Sequence, residues 1–180
     1  MNSTNPPPLS PRAVIGLIVQ RSTIELFDAY GVAVAPVIDP PARLPHASRD
    51  QLLGTVQLST EGLRGQLKLA CAGATLARMK PSADLPNGLQ DWMRELTNQL
   101  AGRIKNRFSR YRVQVQVGLP SATPGATNEA SAEPLRDTLV YVFRTLRDDV
   151  IVSLSGGFDN ANFDLKGGLN PAEEGDIILF

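Results

Sequence analysis

Cysteine and histidine are nearly absent from the sequence. Its 180 residues include one Cys and one His, Cys71 and His46. One Cys cannot form an internal disulfide, and these two residues cannot supply the ligands of a structural zinc site. Cys71 lies in an apolar stretch that favours a small buried side chain, and His46 lies in a proline-rich loop where we expect an ordinary loop residue. A nucleophilic Cys–His pair stays open only if the fold brings the two together.

Net charge and long apolar runs are also lacking. The 18 basic and 18 acidic side chains cancel, which argues against a protein that binds nucleic acid or an anionic membrane. No apolar run approaches the roughly 20 residues that span a bilayer, and the stretch 13–19 lacks the pattern of a signal peptide. Walker, GxGxxG, HExxH and GxSxG motifs are absent, and each would mark a different catalytic class. We therefore expect a reduced, cytoplasmic protein without a metal site.

The hydrophobic pattern predicts one α+β domain between two polar tails. Residues 1–11 contain four prolines and are expected to form a disordered tail. Residues 12–155 form the domain, and the Gly-rich residues 156–180 form a second tail in which 177–180 is a candidate edge strand. We expect three helices and five or six mainly antiparallel strands, with the long helices packed on one face of the sheet.

Individual elements follow from periodicity and from turn residues. Ser10 as N-cap and Pro11 in the first turn predict a helix that runs to Tyr30 and ends at Gly31. Two hairpins are predicted from alternating apolar runs bounded by turn formers. The further predictions comprise single strands, a short helix and a flexible loop. In chain order these regions are a strand at 32–38, a hairpin at 51–58 and 64–70, a helix at 72–79, a strand at 112–118, a loop at 119–134 and a hairpin at 138–145 and 150–154.

The segment 89–108 carries the strongest helical signal. At 100° per residue its apolar side chains fall on one stripe, formed by Leu89, Trp92, Met93, Leu96, Leu100 and Ile104. Asp91, Glu95, Asn98 and Gly102 fall together on the opposite side. Taken alone, that side is most simply an ordinary solvated helix face. Gly102 costs about 1 kcal/mol relative to Ala in an exposed helix, so it reflects either close approach of another backbone or neutral drift.

The amino-acid sequence in and around this helix resembles that of a known family. The run MRELTNQLAGRIKNRF, residues 93–108, resembles the signature helix of the CheX-type chemotaxis phosphatases, in which a Glu-x-x-Asn pair precedes a Gly four residues after the Asn. LLGTVQLSTEGLRGQLKL is similar to the family's hairpin before this helix, and VQVGLPSATPG to its strand and Pro-containing loop. The late hairpin is similar to its closing strands. The resemblance covers about 51–154 and implies a CheX/CheC-like fold.

The resemblance implies a phosphatase that acts on the aspartyl phosphate of a CheY-like response-regulator receiver domain. By motif, Asn98 would hold the attacking water and Glu95 would pair with the receiver's conserved Lys. Gly102 would let the helix lie close to the receiver, and Asp91 would sit at the rim of the contact. The receiver supplies Mg²⁺, so the chain would need no cofactor or metal of its own. A homodimer formed through the sheet is also implied.

Two other functions remain open on the sequence. The same fold can dock a receiver or a flagellar-switch-like partner without catalysis. Alternatively, the chain is an α+β structural or dimerisation domain whose resemblance to the phosphatases is accidental. The intact Glu95-x-x-Asn98 pair favours the phosphatase, because a pure adaptor has no need of an exposed Asn at that position.

Overall fold

The computed structural model describes residues 10–38, 50–61, 63–80, 88–125 and 138–156. Within these ranges the chain forms three helices and seven strands. In chain order they are α1 (Pro11–Asp28), β1 (Ala35–Pro36), β2 (Gln51–Thr60), β3 (Leu63–Ala72), α2 (Gly73–Met79), α3 (Leu89–Arg110), β4 (Gln116–Val117), β5 (Ser121–Pro124), β6 (Thr138–Arg144) and β7 (Asp149–Ser155). None of these helices is long and apolar enough to cross a membrane.

All seven strands join one antiparallel sheet in the order β1-β6-β7-β3-β2-β4, and β5 also pairs with β2. Leu58 pairs with Val117 in β4, whereas Thr55 pairs with Ser121 in β5. Between these two pairs β2 advances by three residues, whereas the chain from β4 to β5 advances by four. One extra residue on the edge of the sheet is the geometry of a β-bulge. The extra residue lets Val117 and Ala122 both pack against the core.

The helices cover one face of the sheet and enclose the core. Alternate residues of the strands point towards them, among them Leu67, Leu69 and Cys71 of β3, each fully buried. Helix α3 lies across β2, where Thr97 sits directly over Gly54: a Cβ built at Gly54 would overlap the Thr97 hydroxyl. The Thr97 hydroxyl donates to the Met93 carbonyl at 2.7 Å, so the close approach has a fixed geometry.

The predicted α+β fold with helices on one face is confirmed, as are the main elements. The Ser10 hydroxyl caps α1 by accepting from the Ala13 amide at 3.2 Å. Helix α1 ends at Asp28, two residues before the predicted Tyr30. Gly31 follows with φ +71°, a backbone conformation that favours glycine. The two long hairpins, the short helix α2 and the amphipathic helix α3 all form where periodicity predicts them.

The two predicted single strands are shorter than expected. The strand predicted at 112–118 is reduced to β4 because the chain is still turning out of α3: Arg112 has φ +60°, and the Val113 amide bonds back to the Phe108 carbonyl at 3.2 Å. The strand predicted at 32–38 is reduced to β1, although the Val37 amide still reaches the Val142 carbonyl at 2.8 Å.

The loop prediction for 119–134 is wrong at its start, because Ser121–Pro124 forms strand β5. This strand is held by backbone pairing with β2, and of its side chains Ala122 packs against the core. A strand with so little buried surface leaves little hydrophobic signal in the sequence. The rest of this predicted loop, residues 126–134, lies outside the described residues. The same is true of His46 and of the two predicted tails, except for Ser10, Pro11 and Gly156.

Candidate functional site on helix α3

Helix α3 has one side packed into the core and one side facing solvent. The predicted apolar stripe is buried, with Leu89 half-buried at its start. The buried positions of the whole helix are Trp92, Met93, Leu96, Thr97, Leu100, Ala101, Ile104, Arg107 and Phe108. Glu95 and Asn98 lie on the other side and are exposed, while Asp91 and Gly102 are half-buried.

Glu95 and Asn98 are neighbours on this exposed side. Residues three apart on a helix have Cβ atoms about 5–6 Å from each other, so a carboxylate and a carboxamide can contact the same partner. The carboxamide both donates and accepts hydrogen bonds, and it does not titrate. The pair can therefore bind a cationic group and orient a polar small molecule beside it.

Asp91 already has a partner within the helix. Its carboxylate forms an ion pair with Arg94, one turn further along. The acidic side chain also lies in the first turn of α3, where the helix dipole favours negative charge. The Asp91 carboxylate is thus part of an ion pair on the surface of α3 and not an isolated charge.

Gly102 has no packing reason for being glycine within the described structure. A Cβ built at this position would meet no atom within 4 Å outside its immediate helical surroundings. Its backbone is an ordinary part of α3. The missing side chain therefore leaves a shallow, flat area on α3, one turn beyond Asn98.

Glu95 is linked to α1 by a chain of hydrogen bonds that the sequence pattern did not predict. The Gln99 side-chain amide donates to Glu95 Oε1 at 2.8 Å. The Tyr30 hydroxyl, just beyond the end of α1, donates to Gln99 Oε1 at 2.9 Å. The four-residue spacing of Glu95 and Gln99 is a signal that the sequence offered, whereas the 69-residue separation from Tyr30 offered none.

The junction of α1 and α3 is held by further contacts. The Tyr30 ring meets the Trp92 ring edge to face, with centroids 5.1 Å apart. Glu25 of α1 pairs with Arg107 and, at 3.8 Å, with Arg103. These contacts fix the end of α1 against the same helix that carries Glu95 and Asn98.

Cys71 is a core residue, as predicted. Burial, with a smaller effect of Asp148, raises the pKa of its thiol from 9.0 to about 12. A thiol that stays protonated at neutral pH is a poor nucleophile, so its burial argues against Cys71 as the nucleophile of a Cys–His pair. In the part of the chain that the structure describes, no group of three His, Cys, Asp or Glu residues is arranged to hold a metal ion.

Comparison with known proteins places the fold. The sequence matches no protein-family model and no curated protein. The structure matches the chemotaxis protein CheX from Desulfovibrio desulfuricans with a TM-score of 0.65 and 15% identity, over 79% of this chain and 98% of that one. It matches the Borrelia burgdorferi CheX–CheY–BeF3–Mg²⁺ complex at 0.55 and 10%, over 80% and 96%.

A further match is the FliM middle domain from H. pylori, with a TM-score of 0.52 and 8% identity over 80% of this chain and 87% of that one. The structural neighbours are thus CheX/CheC-like chemotaxis proteins and a related domain. The resemblance that the sequence shows is confirmed as a likeness of fold.

Proposed function

We propose that this chain is a phosphatase that hydrolyses the aspartyl phosphate of a CheY-like receiver domain and so ends a signal in chemotaxis or a related two-component pathway. The observation that carries the proposal is the exposure of Glu95 and Asn98 on one side of α3, at the spacing of the CheX-type signature and within a CheX-like fold. Among the structural neighbours, one is a CheX in complex with CheY, BeF3 and Mg²⁺.

Asn98 is assigned the role of positioning the attacking water. Its carboxamide enters the receiver's site and holds a water in line with the phosphorus, donating to one group and accepting from another. Holding a nucleophile in the productive geometry is a recognised source of rate acceleration, and each 1.4 kcal/mol of barrier corresponds to about tenfold in rate. The receiver supplies Mg²⁺ and the acyl phosphate, so few groups are required from this chain.

Glu95 is assigned the role of docking α3 onto the receiver domain. Its carboxylate pairs with the receiver's Lys and sets the register of α3 on the partner. Gly102 leaves room for the receiver's backbone, since among the described residues no atom outside its own helical surroundings lies within 4 Å of a Cβ built there. Asp91, paired with Arg94, lies at the rim of the same surface.

Dephosphorylation of a panel of phosphorylated receiver domains from the same genome tests the assignment of Asn98. We expect wild-type protein to accelerate loss of phosphate from at least one receiver, and Asn98→Ala to slow that turnover by about 100-fold. Asn106→Ala is the matched control, because Asn106 is also exposed on α3 but lies two turns away. Equal turnover by wild type and Asn98→Ala would overturn the assignment.

Affinity for a receiver activated with beryllofluoride tests the assignment of Glu95. Glu95→Ala is expected to weaken binding by about tenfold, equivalent to 1.4 kcal/mol. The Asn98→Ala variant should bind within about twofold of wild type, since its loss falls on the chemical step. Unchanged binding by Glu95→Ala would remove the docking role.

The second candidate function is a non-catalytic module that binds a receiver or mediates dimerisation. The likeness to the FliM middle domain favours it, because the same fold then occurs in a protein other than CheX. Binding of a phosphorylated receiver with no acceleration across the panel would select this alternative.

A homodimer formed through the sheet is a further expectation. On the sheet face away from the helices, Leu53, Ala70, Ile151 and Val142 form a row across four strands by register. Leu53 and Ala70 are half-buried, whereas Val142 and Ile151 are already buried within the single chain, with 3% and 8% of their surface exposed. A solution mass of two chains by light scattering would support the dimer, and a mass of one chain would remove it.

A further inference from the structure

The hydrogen bonds that reach Glu95 have only one consistent direction. An ionised carboxylate only accepts, so the Gln99 amide must present its NH2 group to Glu95. The amide oxygen of Gln99 then faces Tyr30, whose hydroxyl must donate to it. The two heavy-atom distances, 2.8 Å and 2.9 Å, are those of ordinary hydrogen bonds.

The far end of this chain of bonds is anchored in the core. Trp92 is buried, with 4% of its surface exposed, and the Tyr30 ring packs against it edge to face. The Tyr30 amide also bonds to the Phe27 carbonyl at 3.0 Å, which fixes its backbone beside Gly31. The Tyr30 hydroxyl is thus a donor held in place from two sides.

Glu95, by contrast, is an exposed residue with three side-chain torsions. Such a side chain normally samples several rotamers, and ordering it on a partner carries an entropic cost. The bond from Gln99 restricts these rotamers before any partner arrives. Preorganisation of this kind strengthens binding without adding a contact.

We propose that Tyr30 and Gln99 are positioning residues that hold Glu95 in its receiver-binding rotamer, so that the end of α1 sets the affinity of the α3 surface for a phosphorylated receiver. This inference rests on the proposed function. Because the bonds end at Glu95 and not at Asn98, their removal weakens receiver binding and leaves the chemical step unchanged.

Two substitutions remove the bonds while keeping the packing. Tyr30→Phe deletes the hydroxyl and retains the ring against Trp92. Gln99→Met keeps the length of the side chain and removes both its donor and its acceptor. For each variant we expect Kd for a beryllofluoride-activated receiver to rise by about three- to tenfold, with kcat against the phosphorylated receiver within about twofold of wild type.

A double-mutant cycle with Glu95→Ala separates positioning from damage to the fold. If Tyr30 acts through Glu95, Tyr30→Phe has no further effect on Kd once Glu95 is Ala. Arg103→Ala is the control, because it removes an ion pair with Glu25 at the same helix junction but lies outside the chain of bonds. It should bind the receiver as wild type does.

The outcomes distinguish this inference from the function on which it rests. Weakened binding by Glu95→Ala with unchanged binding by Tyr30→Phe and Gln99→Met overturns the positioning role and leaves the proposed function standing. If Tyr30→Phe raises Kd equally in the wild-type and the Glu95→Ala backgrounds, the positioning role is also overturned. Unchanged binding by Glu95→Ala removes both the docking role and its positioning.

Discussion

The buried and exposed sides of α3 differ in how far the fold accounts for their residues. On the buried side, Thr97 fits over Gly54, where any side chain on β2 would overlap it. On the exposed side, a Cβ at Gly102 would meet no described atom within 4 Å outside its own helical surroundings, and Asn98 is exposed. Gly54 is explained by the packing of the described chain, and Gly102 is not. Packing within the described chain therefore accounts for the buried side of α3, whereas Gly102 on the exposed side reflects either the proposed receiver contact or neutral drift.

The largest effect is expected at the buried glycine. Gly54→Ala should lower the free energy of unfolding by about 2–3 kcal/mol, because the new methyl overlaps the Thr97 hydroxyl and approaches Met93 Cγ to 3.3 Å. Urea denaturation measures the loss. Thr97→Ala removes the overlapping group, so the double variant Gly54→Ala/Thr97→Ala should be less destabilised than the sum of the single variants. Simple additivity would show that the helix–sheet contact is looser than described.

Per unit of pH, a smaller effect on stability is expected from the buried thiol. The pKa of Cys71 is 9.0 unfolded and, through burial and then Asp148, about 12 folded. Below pH 9 both states keep the proton; above it the unfolded state releases a proton that the folded state retains. Stability should therefore fall as pH rises from 9 towards 12, by at most about 1.4 kcal/mol per pH unit.

The stability of Cys71→Ala over the same pH range isolates this effect from the titration of other groups. The difference in unfolding free energy between wild type and Cys71→Ala should shrink as the pH rises above 9. A constant difference would mean that the thiol is not as buried as its position in β3 indicates.

The smallest effect is expected at the exposed glycine, and with the opposite sign. Gly102→Ala should raise the free energy of unfolding by about 0.5–1 kcal/mol, because Ala is the better helix former and the added methyl meets no neighbour. The same variant should weaken receiver binding if the partner's backbone approaches this position. Greater stability with unchanged binding would identify Gly102 as neutral drift.

Prediction from the sequence succeeded where the signal is local. Helix α3 and the two hairpins are predictable because their apolar residues recur with the period of a helix or a strand over many positions. The cap at Ser10 and the positive φ of Gly31 beyond the helix follow from single residues with known conformational preferences. Strand β5 escapes prediction because its pairing with β2 depends mainly on backbone groups, which leave little trace in the pattern of side chains.

The candidate site divides in the same way. The spacing of Asp91, Glu95, Asn98 and Gly102 is enough to put all four on one side of a helix, because helical periodicity relates residues only a few positions apart. Their roles remain predictions. The link from Glu95 through Gln99 to Tyr30 could not be predicted, because nothing near Tyr30 in the sequence points to a residue 69 positions away.

Periodicity and turn chemistry in the sequence were thus sufficient for the helices, the long hairpins and the polar side of α3, since each depends on residues only a few positions apart. The edge of the sheet, the contact of Thr97 with Gly54 and the anchoring of Glu95 to α1 required the folded chain. Each of these depends on groups that are distant in sequence and meet only after the helices have packed on the sheet, and such meetings leave no periodic trace in the order of the residues.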